Sequence, residues 1–236
     1  MEKSQYTGDS KAIVSNQEGI HEKLEEVVRK HLAHDFKKPY QAHTQHAFEV
    51  VDEKLTNFLA ANPQGEIILD ACCGVGQSTR ILAQQNPQAL VIGVDKSANR
   101  LDRNIEELQR TDNSGQVDNF YLVRADLNDF YRLVKSANWP VSKHYILYPN
   151  PWPKSKHLQR RWHGSAIFPQ MITIGKQIIL RSNWRLYLEE FQAALLLTQL
   201  TSELTKVNKS EQSLTPFEEK YQSSGQQCWQ LMAFTS

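Results

Sequence analysis

Three acidic residues stand where short apolar runs end, and two glycines follow the first of them. Asp70 closes Ile67-Ile68-Leu69, Asp95 closes Leu90 to Val94, and Asp126 comes just after Phe120 to Val123. An ionised carboxylate only accepts hydrogen bonds, so such a set suits a ligand rich in hydroxyl, amino and ammonium groups. Asp95 can take both hydroxyls of a ribose, Asp126 the amino group of an adenine, and Asp70 the ammonium of an amino-acid tail, directly or through water. In Asp70-Ala71-Cys72-Cys73-Gly74-Val75-Gly76-Gln77-Ser78-Thr79, the two glycines let the backbone turn tightly and approach a ligand. The third glycine of a dinucleotide fingerprint would fall at Thr79, so that pattern is not met and a pyrophosphate cofactor is disfavoured. Each acid alone is an ordinary helix cap; jointly they favour S-adenosylmethionine.

A second constellation is Tyr148-Pro-Asn-Pro-Trp-Pro-Lys-Ser-Lys-His-Leu-Gln-Arg-Arg161. Pro149, Pro151 and Pro153 each fix φ and bias the preceding residue away from the helical region, so Tyr148, Asn150 and Trp152 are expected to be extended. Lys154, Lys156, His157, Arg160 and Arg161 follow within eight residues. Such a density of point and planar charges suits phosphate oxygens, which arginine can grip with two parallel hydrogen bonds. A solvated basic loop is the plain alternative. It does not call for the stiff Pro-Asn-Pro-Trp-Pro entry.

The elements that must carry these residues alternate. Strands are expected at Ile67–Leu69, Leu90–Val94, Phe120–Val123 and Tyr145–Tyr148, and helices at about Gln77–Gln85, closed by Asn86-Pro87, and Ala98–Arg110. This order predicts an α/β fold, a Rossmann-like, doubly wound and mostly parallel sheet with helices on both faces. Ligands of such sheets bind outside the carboxyl ends of the strands, where the three acids fall. Further on, the pattern reads as a helix over Ile167–Leu180, a strand at Trp184–Leu188 running into Glu189-Glu190, a long helix over Phe191–Leu204, a polar linker over Val207–Leu214 and a terminal strand over Cys228–Phe234. Upstream, residues 1 to about 20 read as a loose polar tail. Leu24, Val27, Val28, His31 and Leu32 then form one helical stripe, and Ala47, Val50, Val51, Leu55 and Phe58 another. His43-Thr44-Gln45-His46 between them could touch a ligand or cap the second helix, and the cap is the simpler reading.

Whole-chain properties bound the rest. The 236 residues suit one α/β domain with an extension, and 27 lysines and arginines against 26 acids leave a formal charge of +1. Attraction to nucleic acid must therefore come from local clustering, which the run after Pro153 supplies. No apolar run is long enough to span a bilayer, and the start lacks the apolar stretch of a signal peptide, so a cytoplasmic protein without membrane contact is expected. Cys72, Cys73 and Cys228 make no disulfide framework. Adjacent Cys72 and Cys73 are poorly placed to share a metal ion, so no metal is expected.

The glycine loop resembles class I methyltransferases, and Pro149-Asn-Pro-Trp-Pro-Lys-Ser-Lys-His-Leu-Gln-Arg-Arg161 resembles the bacterial tRNA (guanine-N7)-methyltransferases, whose Pro-Asp-Pro-Trp precedes a Lys/Arg/His cluster. Thr215-Pro216-Phe217-Glu218 is similar to their Thr-x-Phe-Glu motif, with Lys220 and Trp229 at family-like spacing. The similarity makes the chain a divergent member, with a methyltransferase domain over 61–236 and a polar tail and helical extension over 1–60. It implies transfer of a methyl group from S-adenosylmethionine to guanine N7 of tRNA. By the same resemblance, Asp70, Gly74, Gly76, Asp95, Ala125, Asp126 and Asn150 hold the cofactor, and Lys154 with Thr215, Pro216, Phe217 and Glu218 meets the target nucleotide. Lys156, His157, Arg160 and Arg161 hold RNA. A monomer is expected.

Two positions depart from the family. Its Pro-Asp-Pro-Trp acid is Asn150 here, and the acid at the end of its fifth strand aligns with Glu190, or less well with Asn183. Asn150 and Glu190 are accordingly the expected catalytic, base-positioning residues, and Glu190 also a substrate contact. Guanine N7 carries a lone pair and no proton, so its methylation needs no general base. Alignment with the methyl donor can supply several kcal/mol by itself. Asn150 keeps a carbonyl acceptor but loses the charge, and a charge-assisted bond is roughly twice as strong as a neutral one. Two alternatives remain: a cofactor-sensing RNA-binding protein with impaired catalysis, and a methyltransferase acting on an amine or small molecule.

Overall fold

The computed structural model describes residues 8–102, 118–209 and 211–235. Its elements in chain order are α1 (Leu24–Leu32), α2 (Ala42–Ala61), β1 (Glu66–Ala71), α3 (Gln77–Gln85), β2 (Ala89–Asp95), β3 (Phe120–Arg124), α4 (Leu127–Ser136), β4 (Val141–Leu147), 3-10 turns over Ser155–Arg160 and Trp162–Gly164, α5 (Phe168–Met171), β5 (Gln177–Ser182), α6 (Arg185–Leu196), β6 (Ser202–Lys206), α7 (Pro216–Ser223) and β7 (Trp229–Phe234). A helix also starts at Ala98 and runs to Asp102; the remainder expected up to Arg110 lies outside the described residues. The strands form one seven-stranded mixed sheet in the order β3-β2-β1-β4-β5-β7-β6. β1 pairs in parallel with β2 and β4, β2 in parallel with β3, and β6 runs antiparallel to β7.

The chain divides into two compact units. One comprises the described residues of Met1–Phe36 with Leu147–Pro169 and Ile179–Phe234; the other comprises Lys37–Ile146, Gln170–Ile178 and Thr235. In the second, Ile67, Ile68, Leu69, Val91, Ile92 and Val94 are fully buried, as the continuous apolar runs of parallel strands require. α2 is integral to this unit, since Phe48 stacks on Trp139 at 4.9 Å and meets Phe130 edge-on at 5.5 Å. Trp139 Nε1 donates to Asp52 Oδ1 on the same helix (2.6 Å). The 1–60 grouping is thus not followed by the compact units, which place α1 in one and α2 in the other.

Several expectations need correction. Ile167–Leu180 is not one helix: α5 is a single turn, Gly175 has φ +85°, and Ile178 and Ile179 belong to β5. A Cβ on Gly175 would lie 3.2 Å from the Cβ of His144, so space as well as φ calls for glycine there. The run Trp184–Leu188 is not a strand but the start of α6, whose fully buried apolar residues are Tyr187, Leu188, Phe191, Ala194 and Leu195. That spacing is helical; its aromatic content imitates a strand. The long helix expected to Leu204 stops at Leu196, and Leu204 lies in β6. His43–His46 does not cap α2, which starts after Gln41. Thr44 sits inside the helix, fully buried, and its Oγ1 accepts from the Asp126 backbone N–H (3.1 Å). Of the loose tail expected over residues 1 to about 20, residues 1–7 lie outside the described residues, and residues 8–21 are hydrogen-bonded within the first unit.

Candidate active site and nucleic-acid interface

In the second unit the acid-ended strands are built as expected. Asp70, fully buried at the end of β1, accepts from Ser78 Oγ (2.6 Å) and Thr79 Oγ1 (2.7 Å) through one oxygen. Its other oxygen, Oδ1, is buried without a partner among the described residues. Burial, opposed by the two hydroxyls and reinforced by the charge of Asp95, raises the Asp70 carboxyl to about 6. Asp95 accepts from the backbone N–H of Gly74 (3.0 Å) and Ser97 (2.8 Å), which ties the glycine loop to the end of β2. Gly74 has φ +61° and nothing within 4 Å of where a Cβ would point, so the loop presents bare backbone to open space. Gly76 has φ +77°, and a Cβ there would come within 2.7 Å of Leu122.

Asp126 caps α4, its Oδ1 accepting from Asn128 N and Nδ2 (both 2.9 Å). Burial works against the ionised form, but the Asn128 bonds and the charge of Lys96 outweigh it and hold the carboxyl below its usual range. Lys96 Nζ lies 3.8 Å from Asp126 Oδ2. Ala125 is fully buried and donates its N–H to the Asp95 carbonyl (3.1 Å). A buried acceptor at the end of β1, an open glycine backbone, Asp95 ending β2 and Asp126 two residues past β3 fit the ammonium and hydroxyls of S-adenosylmethionine.

In the first unit the proline-bounded loop is more strained than expected. Tyr148 and Trp152 are not extended: their φ values are +50° and +45°, a region costing on the order of 1–3 kcal/mol for such residues. Each is held in place from outside the loop's own preferences. Tyr148 N–H donates to the Arg181 carbonyl (2.9 Å) and its ring packs on Tyr221 at 5.6 Å. The Trp152 carbonyl accepts from Arg161 Nε (3.2 Å) and Nη2 (3.1 Å). Asn150 is exposed at the tip, its Oδ1 accepting from Trp152 N–H at 3.3 Å.

Arg161 therefore cannot hold RNA. It is fully buried, bonded to Trp152 O, and ion-paired with Glu190, and its guanidinium lies 5.0 Å from the Trp184 ring centre. Lys154, Lys156 and Arg160 remain exposed, and the Arg160 guanidinium covers the Trp152 ring at 4.7 Å. His157 meets the same ring edge-on at 5.5 Å. Slight desolvation and the neighbouring Arg160, Lys156 and Lys154 charges push its imidazole below the usual range.

Glu190 is also corrected. It does not end a strand but lies within α6, fully buried, with Gln17 Nε2 (2.5 Å) and His21 N (2.9 Å) on Oε1 and Arg161 and His163 on Oε2. Burial opposes ionisation, but these donors overcome it and hold the carboxyl at about 2. With both oxygens engaged inside the protein, Glu190 is an anchor and has no face left for a base edge. The residue just after β5 is Asn183, whose Nδ2 donates to Gln226 Oε1 (2.9 Å).

Thr215 caps α7, its Oγ1 accepting from Glu218 N–H (3.0 Å), with Pro216 at the first helical position and Phe217 54 % exposed. Glu218 is fully buried and accepts from Arg181 Nη1 (2.9 Å), with the Tyr148 hydroxyl beside it. Burial, and then the charge of Glu218, push the Tyr148 phenol far above its ordinary range. Arg181, His163, Gln17 and His21 were not legible as site-organising residues. Only Arg181 left a trace, a charge at the end of the apolar run Ile178–Leu180.

The fold is that of the class I methyltransferases. Solved structures sharing it include a 16S rRNA (adenine(1408)-N(1))-methyltransferase of Catenulisporales acidiphilia with its cosubstrate (TM-score 0.55, 14 % identity, 77 % of this chain and 91 % of that one). Another is the 16S rRNA methyltransferase KamB (TM-score 0.55, 15 % identity, 84 % and 95 %). A family model described as "Putative methyltransferase" matches residues 64–231, and the chain belongs to that family. Curated relatives include a tRNA (guanine-N(7)-)-methyltransferase of Lachnoclostridium phytofermentans, 29 % identical over 171 residues (68 % of this chain, 77 % of the relative). The enzyme of the same name from Mycoplasma genitalium is 25 % identical over 170 residues (66 % and 78 %).

Proposed function

We propose that this protein transfers a methyl group from S-adenosylmethionine to guanine N7 of tRNA, as a cytoplasmic monomer. The observation that carries the reading is the exposed Lys154, Lys156 and Arg160 on a loop locked by Arg161, in a methyltransferase chain whose relatives are named for that reaction. No helix among the described residues is long and apolar enough to cross a membrane.

Asp70 would take the ammonium of the cofactor on its unpartnered Oδ1, where a cation relieves the cost of a buried charge. Asp95 would accept the ribose hydroxyls, Asp126 the adenine amino group, and Gly74 and Gly76 would line the approach. Bound S-adenosylmethionine supplies an electrophilic methyl on its sulfonium; the guanine N7 lone pair forms the new bond while the carbon–sulfur bond breaks. No proton leaves N7, so the chain needs no base there, only groups that orient the purine. Asn150 would accept from the guanine edge and contact the cofactor, while Glu218, fully buried and paired with Arg181, would hold Arg181 and Tyr148 in place behind the base instead of touching it. Phe217, exposed at the start of α7, offers an aromatic face for the base, and Thr215 and Pro216 fix that helix end.

Incubation with labelled cofactor and unmodified tRNA is expected to yield 7-methylguanosine; none above a no-enzyme control would overturn the reading. Replacing Lys156 and Arg160 together by Ala should weaken tRNA binding and flatten its dependence on salt by about 0.9 for each phosphate that is no longer neutralised. An unchanged slope would leave the cluster as plain surface and favour a small-molecule or amine substrate.

A second reading, a cofactor-sensing RNA-binding protein, draws on Asn150 standing where the family has an acid. Asn150→Asp separates the two. A wild-type protein that turns over and gains at most about tenfold from the added charge supports the enzyme. A wild type with no turnover, made active by the substitution, supports the binding protein.

A further inference from the structure

The segment before α1 is hydrogen-bonded along its length to the elements that carry the cation loop and the Thr215–Glu218 turn. Gly8 N–H donates to Ser223 O (3.0 Å), Ser10 N–H to Ser224 Oγ (2.9 Å), and Gln226 Nε2 to Ser10 O (2.9 Å). Farther along, Ser15 Oγ donates to Pro153 O (2.6 Å) and Asn16 Oδ1 accepts from Ser155 N–H (3.0 Å). Those two bonds fall on the two peptide groups that flank Lys154. One grips the peptide entering it, the other the peptide leaving it, so the backbone at Lys154 cannot rotate without breaking one of them. Gln17 and His21 then fasten the segment to Glu190, which is itself bonded to Arg161 and His163 of the loop.

Lys154 is exposed, and the loop from Tyr148 to Ser165 carries no acid to hold it. Its direction is thus set from the backbone side. We infer that Ser15 and Asn16 are positioning residues that aim Lys154 at the target nucleic acid, with Gln17 and Glu190 as the anchor of the segment. The inference rests on the reading of this loop as the RNA contact. It assigns the N-terminal segment a part in substrate binding rather than in cofactor binding, because among the described residues its bonds stay within the first unit.

The double variant Ser15→Ala/Asn16→Ala removes both peptide contacts from partly or fully exposed positions and leaves the core untouched. We expect KM for tRNA to rise about tenfold, with cofactor Kd and Tm unchanged, as when one phosphate goes unpaired. A structural role alone would not couple to one lysine. In a Lys154→Ala background, therefore, the same double change should add less than twofold, because its effect is exerted through that side chain. Full additivity of the two defects, or a KM unchanged by the double variant, would overturn the inference. If Lys154→Ala raises KM and the double variant does not, only the positioning role falls. If Lys154→Ala itself leaves KM unaltered, the reading of the loop as the RNA contact falls first and takes the positioning role with it.

Discussion

Replacing Glu190 by Ala should lower the unfolding free energy by about 3–5 kcal/mol, among the largest losses any single substitution would cause in this chain. The variant leaves the Arg161 guanidinium buried without a counter-charge, and deprives His163, Gln17 and the His21 N–H of their acceptor. Glu190→Gln keeps an acceptor and should cost less. The effect has a defined pH range. The folded carboxyl is held at about 2, below the ordinary 4.5, so its contribution is fully present above about pH 4.5 and fades as pH falls through 2. Urea unfolding of wild type and Glu190→Ala at pH 5 and pH 7.5 should give the same difference. A loss under about 1 kcal/mol would mean that the buried pair is not the anchor its geometry indicates.

Asp70→Asn should act in the opposite sense on stability while disabling the cofactor site. The folded Asp70 carboxyl sits at about 6 against 3.8 in the open chain, so the ionised form is disfavoured by folding. That cost is absent below about pH 3.8, grows as pH rises to about 6 and is constant above. It amounts to on the order of 1–3 kcal/mol. Asparagine removes the charge and keeps a carbonyl oxygen for Ser78 and Thr79. The ligand-free variant should therefore be more stable than wild type at pH 7.5, with the advantage shrinking at pH 4, while its affinity for S-adenosylmethionine falls at least tenfold. Calorimetric titration with the cofactor and unfolding at the two pH values check both halves. A variant that binds the cofactor as wild type does would remove Asp70 from the site.

The sequence conveyed the second unit far better than the first, for physical reasons. β1, α3 and β2 announce themselves because buried parallel strands are uninterrupted apolar runs and Gly74, Gly76 and Asn86-Pro87 punctuate the helix between them. The segment from Ile167 to Leu204 misleads because Ile178 and Ile179 fit either a helix face or a strand, and because Trp184, Leu186 and Tyr187 carry strand-forming side chains on a helix. Packing decided both cases. At the site, the chemistry of the loop was legible but the division of labour within it was not. Five basic side chains within eight residues look alike in the sequence, yet Arg161 turns inward to clamp Trp152, and His157 sets its ring edge-on against Trp152. Glu190 was misplaced for the same reason: its role depends on Gln17 and His21, more than 160 residues away, which no local pattern links to it.

The two left-handed residues, Tyr148 and Trp152, bracket Pro149-Asn150-Pro151, and each is secured by a partner outside that tripeptide. The tip is thus a socket whose shape owes little to the side chain it displays. Exchanging amide for acid at position 150 leaves prolines, clamp and packing as they are, so such a change is one the scaffold tolerates without rebuilding. Position 150 is accordingly a place where short polar groups can be exchanged one for another with both flanking clamps intact.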